Sequence, residues 1–297
     1  MKISVLTPTY NRATLLIKLY ESLINNAKYG IEIEWLIMND GSTDNTEEIV
    51  KSFIDENKIE IKYFVQENQG KMRAINNLVQ KATGNLIVDC DSDDFFTEDA
   101  FKIIKEEYEK NKNQNNIYGL CFLKYDKNGE NMGNMFTNKK TTMFDLYFKE
   151  GETGEKAIVF LGSIRKRYKH ELEHNERFVT EARLYHKIDE KYKIICINKP
   201  IMICEYQNEG YTRNIINQFK DNPYGYYEYF KEILKRDMKD VKLNKRLYAI
   251  KHYILFSCLK KEKIKTAVGE IKGIKNKILF VILYIPGIIK TKIKLSR

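Results

Sequence analysis

The acidic run Asp91-Ser92-Asp93-Asp94 has the residue types and the spacing that point most directly to chemistry. In extended backbone, side chains two residues apart point to the same side, so Asp91 and Asp93 can face one ligand. Mg²⁺ and Mn²⁺ prefer oxygen ligands and often bind one or two carboxylates beside substrate phosphates. We therefore predict that Asp93 binds such an ion directly and that Asp94 supports the loop. The alternative is an acidic turn that only caps the next helix.

Two other polar segments also follow apolar runs, at the points where strands should end. Pro8-Thr9-Tyr10-Asn11 follows KISVLT, and Asn39-Asp40-Gly41-Ser42 follows IEWLIM. In open α/β sheets, ligands bind beyond the carboxyl ends of the strands. We therefore expect the three segments to meet at one edge of a sheet, which is stronger evidence for a binding site than any single motif.

The spacing of apolar residues predicts the elements that position these segments. Short apolar runs alternate with stretches of helical periodicity through the first hundred residues. This alternation predicts an α/β fold, with a mostly parallel sheet covered by helices on both faces. From Pro223 onward only helical segments are evident. We predict a catalytic domain at 1–219, divided into halves at 1–115 and 116–219, and a basic helical region at 220–297.

Several motifs occur in an order and spacing that resemble family 2 glycosyltransferases of the GT-A fold. They are PTYNR (8–12), NDGSTDNT (39–46), NQGK (68–71), TGNLIVDCDSDD (83–94) and, less closely, RFVTEARLYHKI (177–188) and EYQNEGYTRN (205–214). The resemblance implies a Rossmann-like GT-A domain that transfers a sugar with inversion from a nucleotide diphosphate, usually a uridine one, with Mg²⁺ or Mn²⁺ as cofactor. The later segments look closest to bacterial enzymes of cell-surface polysaccharide synthesis, which implies a glycan or lipid-linked acceptor.

The resemblance also implies which residues would hold the donor nucleotide. Asp40 would accept a hydrogen bond from the uracil N–H, and Asp91 would contact the ribose or the water shell of the metal. Lys71 would contact a phosphate or the base, although a solvated helix face explains it equally well. Tyr10 would line the base pocket, with core packing as the alternative. The predicted nucleotide-binding set is Pro8, Thr9, Tyr10, Arg12, Asp40, Lys71, Asp91 and Ser92, the metal ligands are Asp93 and Asp91, and Tyr211 and Arg213 are weaker candidates for donor or acceptor contacts.

Transfer to an acceptor hydroxyl needs a group that takes its proton, such as a carboxylate within hydrogen-bond reach. The family usually has a Glu-Asp pair at the start of the helix after the acceptor loop, where this chain has Glu181-Ala182. Because the usual aspartate is missing, we predict Glu181 as the catalytic base. An ordinary first-turn glutamate is the alternative, and His170, His174 and Glu205 are lesser candidates. The two histidines have metal-ligand spacing for a helix, but a solvated polar segment explains them better.

The C-terminal sequence NKILFVILYIPGIIKTKIKLSR combines aliphatic residues with flanking lysines. From Lys231 onward there are nineteen Lys/Arg and five Asp/Glu, a charge of +14, so the remainder of this +10 chain carries −4. A spanning helix needs about 20 apolar residues, and this run is shorter and interrupted by Pro286-Gly287. We predict an amphipathic segment on an anionic membrane surface, with a core helix as the alternative. Nucleic acid is not expected as a partner, because the basic residues flank aliphatic side chains.

Composition argues against several other classes of protein. A hydrophobic content of 43% over 297 residues supports a sizeable core and argues against a disordered chain. The five cysteines form no C-x-x-C pair, so neither a zinc site nor a disulfide framework is expected. A reducing cytoplasm fits, with the protein peripheral at the inner face of the membrane. Two alternative functions stay open: a nucleotidyltransferase on a similar sheet, and a non-catalytic protein that binds nucleotide sugars.

Overall fold

Strands and helices alternate along the part of the chain that the computed structural model describes, residues 1–205 and 215–295. The strands are β1 (Lys2–Thr9), β2 (Glu32–Asn39), β3 (Glu60–Val65), β4 (Leu86–Asp89), β5 (Asp94–Phe96), β6 (Ile117–Asp126), β7 (Lys140–Thr141), β8 (Lys156–Leu161) and β9 (Lys193–Cys204). The helices are α1 (Leu15–Ala27), α2 (Thr46–Glu56), α3 (Lys71–Lys81), α4 (Ala100–Asn111), α5 (Gly162–Arg165), α6 (Glu181–Ile188), α7 (Ile215–Asp221), α8 (Pro223–Lys235), α9 (Leu243–Leu259), α10 (Ile264–Glu270) and α11 (Ile274–Leu295), with a π-helical segment at Asp145–Glu150.

The strands form one sheet in the order β3-β2-β1-β4-β8-β6-β9-β5, with β7 beside β9. Pairings among β1 to β4 are parallel, because a helix returns the chain between successive strands. Strand β6 is parallel to β9, whereas β8 is antiparallel to both β4 and β6. The predicted α/β sheet with a C-terminal helical region is thus confirmed. Strand β9 has an irregular register opposite Leu123.

Apolar side chains from β1, β2 and α1 explain why the parallel half of the sheet forms. Leu16, Leu19 and Leu23 recur at helical spacing on α1, and all three are buried in the same core as Trp35 of β2. The indole of Trp35 donates a hydrogen bond to Oγ1 of Thr7 on β1 at 2.9 Å. Burial of each leucine stabilises the fold by about 1.5–3 kcal/mol relative to an exposed side chain.

A buried carboxylate on β2 aligns the start of β4. Glu34 accepts hydrogen bonds from Ser4 on β1, from Lys62 at 2.7 Å, and from the backbone N–H groups of Thr83 at 2.5 Å and Gly84 at 3.1 Å. Burial alone would raise the pKa of Glu34, but the hydrogen bonds from Lys62, Ser4 and Thr83 lower this pKa to about 2. The turn before β4 is therefore tied to β1 and β2, which brings the acidic run to their edge of the sheet.

Packing divides the chain into two compact units. The first comprises Met1–Tyr147, Glu152–His170 and Leu184–Gln207, and the second comprises Phe148–Gly151, Glu171–Arg183 and Asn208–Arg297. The first unit contains the sheet. Residues 171–183, which the sequence analysis places in the catalytic domain, group with the C-terminal helices in this division.

Aromatic and aliphatic side chains form the core of the C-terminal helices. The rings of Tyr226 on α8 and Phe256 on α9 stack with centroids 5.0 Å apart. Phe280 of α11 is fully buried, and a Cβ added to Gly287 would lie 2.8 Å from Cγ2 of Ile254, so glycine permits close approach of α11 to α9. One face of α11 is therefore a core face. Among the described residues, none of the helices combines the length and apolarity needed to cross a membrane.

Candidate active site

The segments that follow β1, β2 and β4 meet at one edge of the sheet, as the sequence predicts. The backbone N–H of Asp40 donates to the carbonyl of Thr9 at 2.9 Å, and that of Asn11 donates to Ser42 Oγ at 2.9 Å. The N–H of Cys90, immediately before the acidic run, donates to a carbonyl of β1 at 2.9 Å. These hydrogen bonds fix the relative positions of the three loops.

The two aspartates predicted to serve the metal each pair with a cation. Lys71, the first residue of α3, places Nζ 2.7 Å from Asp91 Oδ2, and Arg12 places Nη1 3.0 Å from Asp93 Oδ2. The same Arg12 nitrogen lies 3.4 Å from Oγ of Ser92, which is buried. The side chain of Lys71 is only 16% exposed, so the alternative of a solvated helix face is wrong.

The acidic run has a chemical environment that fits a hard divalent cation. Burial raises the pKa of Asp93; the Arg12 charge opposes this shift, while the charges of Asp91 and Asp94 add to it. The carboxyl oxygens of Asp91 and Asp93 are the ligand type that Mg²⁺ and Mn²⁺ prefer. A cation between them would also relieve their mutual repulsion. The donor set is therefore compatible with the predicted metal.

Asp40 is buried and faces the connection between β3 and α3. Its carboxylate accepts hydrogen bonds from Gln66 Nε2 at 2.7 Å and from the backbone N–H groups of Gln69 at 2.9 Å and Gly70 at 2.8 Å. Gly70 has a φ of +92°, a conformation that glycine adopts without steric cost. A carboxylate offers about four acceptor positions, so three donors leave room for one more.

The residues at the end of β1 differ in exposure. Pro8 and Thr9 are buried, and Thr9 pairs with Asn39 of β2. Tyr10 follows the strand and is 46% exposed. Core packing therefore does not explain Tyr10, which directly follows β1 at the sheet edge where the three loops meet.

Asp94 has a structural partner that the sequence analysis did not identify. Nζ of Lys124, on β6, lies 2.6 Å from Asp94 and 3.4 Å from Glu155, while ligand atoms of Asp94, Glu155 and Cys204 lie within 4.8 Å of one another. Burial alone would lower the pKa of Lys124, but the Asp94 and Glu155 charges outweigh it and raise this pKa, so the ammonium stays charged. In this cluster the ammonium of Lys124 is the cation that pairs with Asp94 and Glu155. This contact is compatible with a supporting role of Asp94 in the loop.

A fully buried arginine on α5 contacts the end of β4, and the sequence analysis missed it. Nη2 of Arg165 lies 3.7 Å from Oδ2 of Asp89, and Nη1 donates to the carbonyl of Tyr168 at 2.9 Å. The guanidinium also lies over the Phe160 ring, 5.4 Å from its centroid, and 3.4 Å from His170 Nε2. The available signal was an aspartate inside the apolar run NLIVDC, which requires compensation when the strand is buried.

His170 is part of this buried cluster, so the expectation of a solvated segment is wrong for this residue. It is 3% exposed, and its backbone N–H and carbonyl bind the side-chain amide of Asn76 on α3 at 2.8 and 2.9 Å. Burial lowers the pKa of His170 well below its usual value, and the positive charges of Arg165 and Lys71 lower it further. The imidazole is therefore neutral at physiological pH.

Glu181 is the first residue of α6 and is half-buried. The segment that leads to it is bound to α8: Asn222 Oδ1 accepts two backbone N–H groups of this segment at 2.9 and 3.0 Å. In return, Glu176 accepts the first free N–H groups of α8, which satisfies donors that a helix N-terminus leaves unpaired. On the other side of Glu181, Arg183 Nε donates to Glu232 at 3.1 Å. Glu181 thus lies on a segment held at both ends.

The other candidates for the base have different surroundings. Glu205 forms an ion pair with Lys18, whose Nζ lies 2.7 Å from one carboxylate oxygen. The ring of His174 packs on that of Tyr224 with centroids 4.2 Å apart. Tyr211 and Arg213 lie outside the described residues.

Comparison with protein families decides the assignment. Residues 4–217 match the family model described as glycosyl transferase family 2. The chain belongs to this family. The resemblance inferred from its motifs is therefore confirmed.

Curated relatives match parts of the chain. An uncharacterized glycosyltransferase of Mycoplasma genitalium, MG060, is 34% identical over 131 residues, which is 42% of this chain and 44% of the relative. The GalNAc(5)-diNAcBac-PP-undecaprenol beta-1,3-glucosyltransferase of Campylobacter jejuni is 29% identical over 185 residues, 61% of this chain and 55% of the relative. The matched segments thus span about half the length of these relatives.

Solved structures share the fold of this family member. S. aureus TarS 1-349 in complex with UDP-GlcNAc aligns with a TM-score of 0.61 at 18% identity, covering 95% of this chain and 79% of that one. The mannosyltransferase PcManGT of Pyrobaculum calidifontis, in complex with GDP-Man and Mn²⁺, aligns with a TM-score of 0.57 at 15% identity, covering 98% and 83%. At these identities the likeness shows the fold.

Proposed function

We propose that this glycosyltransferase transfers a sugar from a UDP-sugar to an acceptor hydroxyl with inversion, using Mg²⁺ or Mn²⁺ held by Asp93 and Asp91. The observation that carries the proposal is the pair of carboxylate–cation contacts at one sheet edge, Asp91 with Lys71 and Asp93 with Arg12. Carboxylates there suit a divalent cation, and the two basic side chains suit phosphate oxygens. A metal-bound pyrophosphate needs both kinds of group. The UDP-GlcNAc and UDP complexes of S. aureus TarS support a uridine donor.

The nucleotide would bind along the ends of β1 and β2. Asp40, whose carboxylate has room for one more donor, would accept the uracil N–H. Tyr10 would cover the base, with Pro8 and Thr9 as the buried floor beneath it. Ser92, next to Arg12, would help to align the ribose and the phosphates. Each neutral hydrogen bond of this kind contributes about 0.5–1.5 kcal/mol.

The reaction requires charge stabilisation on the leaving group and removal of a proton from the acceptor. A bound divalent cation supplies Lewis-acid stabilisation of the negative charge that develops on the diphosphate. Lys71 and Arg12 add positive charge for the phosphate oxygens. Glu181 takes the proton of the acceptor hydroxyl as that oxygen bonds to the anomeric carbon, and the bond from this carbon to the phosphate oxygen breaks. One displacement of this kind inverts the anomeric configuration.

The nucleotidyltransferase alternative is weaker. That chemistry needs a Gly-rich, basic phosphate-binding loop after the first strand, whereas β1 ends at Thr9 within PTYNR (8–12), which contains no glycine. A non-catalytic role would be compatible with donor binding but not with turnover. Each alternative therefore predicts its own outcome in the same assays.

Thermal shift with nucleotide sugars tests the donor proposal. A UDP-sugar at a hundredfold excess over its Kd, with Mn²⁺, should stabilise the chain by about 2.7 kcal/mol and raise the melting temperature by several degrees. Chelator should remove this shift, because the diphosphate binds through the cation. No shift with any UDP-sugar would contradict the proposal. Pyrophosphate release from UTP and a sugar phosphate would indicate the nucleotidyltransferase, and a shift with no UDP release on any acceptor would indicate the non-catalytic protein.

For the acceptor and the location, we propose a glycan or lipid-linked acceptor of cell-surface polysaccharide synthesis, met at the cytoplasmic face of the membrane. The support comes from the face of α11 that does not pack on α9. Five aliphatic side chains at helical spacing are between 52% and 70% exposed, namely Ile274, Ile278, Val281, Ile282 and Ile285. Exposed lysines 272 and 275 lie near one end of this face. An aliphatic face beside ammonium groups complements an anionic lipid surface.

Replacing four of these residues tests the membrane proposal without removing the core face of α11. The variant with Ile278, Val281, Ile282 and Ile285 all changed to serine should partition about 100-fold less to vesicles of phosphatidylglycerol and phosphatidylcholine, because the lost apolar burial is worth several kcal/mol. Sedimentation with vesicles measures this partition. Deletion of the whole tail is less informative, because it also removes the buried Phe280.

A matched control uses exposed aliphatic residues outside this face. Leu243 on α9 and Ile264 on α10 are 60% and 47% exposed, and their serine variants should bind vesicles as the wild type does. Equal loss in these controls would show that general hydrophobicity drives binding. The variant with four serine substitutions could bind vesicles normally but change the oligomeric state in size-exclusion chromatography. In that case the exposed face of α11 joins copies of this chain, and the membrane proposal is wrong.

A further inference from the structure

We propose that Asp89 is a third carboxylate of the donor site, which accepts hydrogen bonds from hydroxyl groups of the transferred sugar and is held for this by Arg165. Asp89 is the last residue of β4 and precedes Asp91 by two positions. This inference rests on the proposed donor site, because it assigns the sugar-binding part of it. Sugar selectivity, which the motifs do not determine, would then depend partly on this aspartate.

The first observation is the burial of the Arg165 guanidinium. It is 0% exposed, and a buried charge is costly unless an opposite charge or hydrogen bonds compensate it. Asp89 Oδ2 supplies the negative charge at 3.7 Å, and the carbonyl of Tyr168 supplies a hydrogen bond at 2.9 Å. An arginine is always charged under physiological conditions. The pair therefore holds the Asp89 side chain beside the buried guanidinium.

The second observation is where Asp89 lies on the sheet. Its backbone pairs with Leu6 of β1, three residues before the end of that strand, and Asp89 itself ends β4, directly before the loop of the acidic run. Unlike the Arg165 side chain, the Asp89 side chain is 22% exposed, although its Oδ1 atom is buried. A partly exposed carboxylate that pairs with a buried arginine and lies two residues before Asp91 has the position of a ligand-binding group.

The third observation links Asp89 to the predicted phosphate-binding residue through α3. Lys71 at the start of α3 binds Asp91. Asn76 on the same helix binds both the backbone N–H and the backbone carbonyl of His170. The Nε2 atom of His170 lies 3.4 Å from Nη2 of Arg165. Asp89 and Asp91 thus belong to one connected group of side chains that includes two residues of α3.

Chemistry explains why a carboxylate suits this position. A hexose presents several O–H donors, and a charged acceptor forms stronger hydrogen bonds with them than a neutral acceptor does. The nucleotide and its phosphates bind elsewhere, to loops that Asp89 does not need to contact. Loss of the Asp89 charge should therefore weaken binding of the sugar part alone, by about 10- to 100-fold.

The experiment compares UDP with a UDP-sugar on the full chain. UDP-glucose, UDP-galactose, UDP-GlcNAc and UDP-GalNAc are titrated with Mn²⁺ by calorimetry, and the tightest ligand of the wild type is the probe. In Asp89→Asn, the Kd of UDP should be unchanged while the Kd of the probe rises about 10- to 100-fold. Arg165→Lys keeps the positive charge but shifts the aspartate, so the same ratio of Kd values should change in the same direction by a smaller factor.

Several results would overturn the inference. An unchanged ratio in Asp89→Asn would exclude a sugar contact, and equal weakening of UDP and probe in both variants would show a structural role only. If Asp89→Asn does not fold, Asp89→Glu retains the ion pair with a displaced carboxylate and must still change the ratio. Glu98→Gln, which alters an 82% exposed partner of Lys28, is the control. Wild type that binds no UDP would contradict the donor site itself, whereas wild type that binds UDP and an unaffected Asp89→Asn would contradict this inference alone.

Discussion

Replacing Asp93 by asparagine should lower kcat/KM by about 10³-fold, because it removes the charge that holds the catalytic cation. Asparagine keeps the size of the side chain and one oxygen, so the change is mainly electrostatic. Arg12, 3.0 Å from Asp93, would then be available to the phosphates, but its single positive charge does not replace the Lewis-acid stabilisation that a bound divalent cation would supply. UDP release at increasing Mn²⁺ concentrations measures the effect, and the wild type in excess chelator should show a similar loss.

The same variant should remain folded, which separates this role from a structural one. Burial raises the pKa of Asp93, so the folded chain favours the neutral form of this carboxyl. A carboxyl with a raised folded-state pKa stabilises the folded chain below its unfolded-state pKa. This stabilisation is lost as the pH rises through the folded-state pKa. At neutral pH without metal, the asparagine variant should therefore melt no lower than the wild type. Mn²⁺ should raise the melting temperature of the wild type only.

A control and a contrary outcome complete this test. Asp99→Asn changes an exposed aspartate just before α4 and should leave both activity and the response to Mn²⁺ unchanged. Full activity of Asp93→Asn, or wild-type turnover in excess chelator, would contradict a metal-dependent mechanism with this ligand.

Replacing Glu181 by glutamine should lower kcat by about 10²–10⁴-fold without weakening donor binding, because it removes the group that takes the acceptor proton. Glutamine is nearly isosteric, so α6 and the contacts of Arg183 should persist. A calorimetric titration with UDP and Mn²⁺ should give the wild-type Kd. Single-turnover transfer should show that the loss is in the chemical step.

Chemical rescue distinguishes a base from a residue that only stabilises α6. Removal of the side chain in Glu181→Ala leaves space for a small carboxylate, and formate should restore part of the lost kcat. Glu190→Gln, an exposed glutamate just after α6, is the matched control and should behave as the wild type. If Glu181→Gln keeps most of its kcat, the base lies elsewhere, and Glu205 and His174 become the next residues to test.

The contacts around residues 171–183 bear on this prediction. Hydrogen bonds on both sides of Glu181 connect its segment to α8 and to the residue before it. They involve Asn222, Glu176 and Arg183. The proposed base therefore belongs to the same compact unit as α8. Substitutions in α8 that break these hydrogen bonds should therefore lower kcat.

Local patterns in the sequence were sufficient to predict the order of elements and the chemistry of the loops. The stripe of leucines on α1 and the apolar runs of β1 and β2 depend on periodicity over a few residues. The prediction that three strand ends converge also follows from topology, since parallel strands place their carboxyl ends at one edge. The family is recognisable for the same reason, because its motifs are short segments at those strand ends.

Only the tertiary structure decided which charges meet. Four ion pairs join residues that are distant in sequence, so no local pattern marks them. They are Lys71 with Asp91, Arg12 with Asp93, Lys124 with Asp94 and Arg165 with Asp89. Buried charges must find a partner, but many arrangements satisfy that requirement until packing selects one. The grouping of residues 171–183 with the C-terminal helices could not be predicted for the same reason. It depends on hydrogen bonds between residues more than forty positions apart in the sequence.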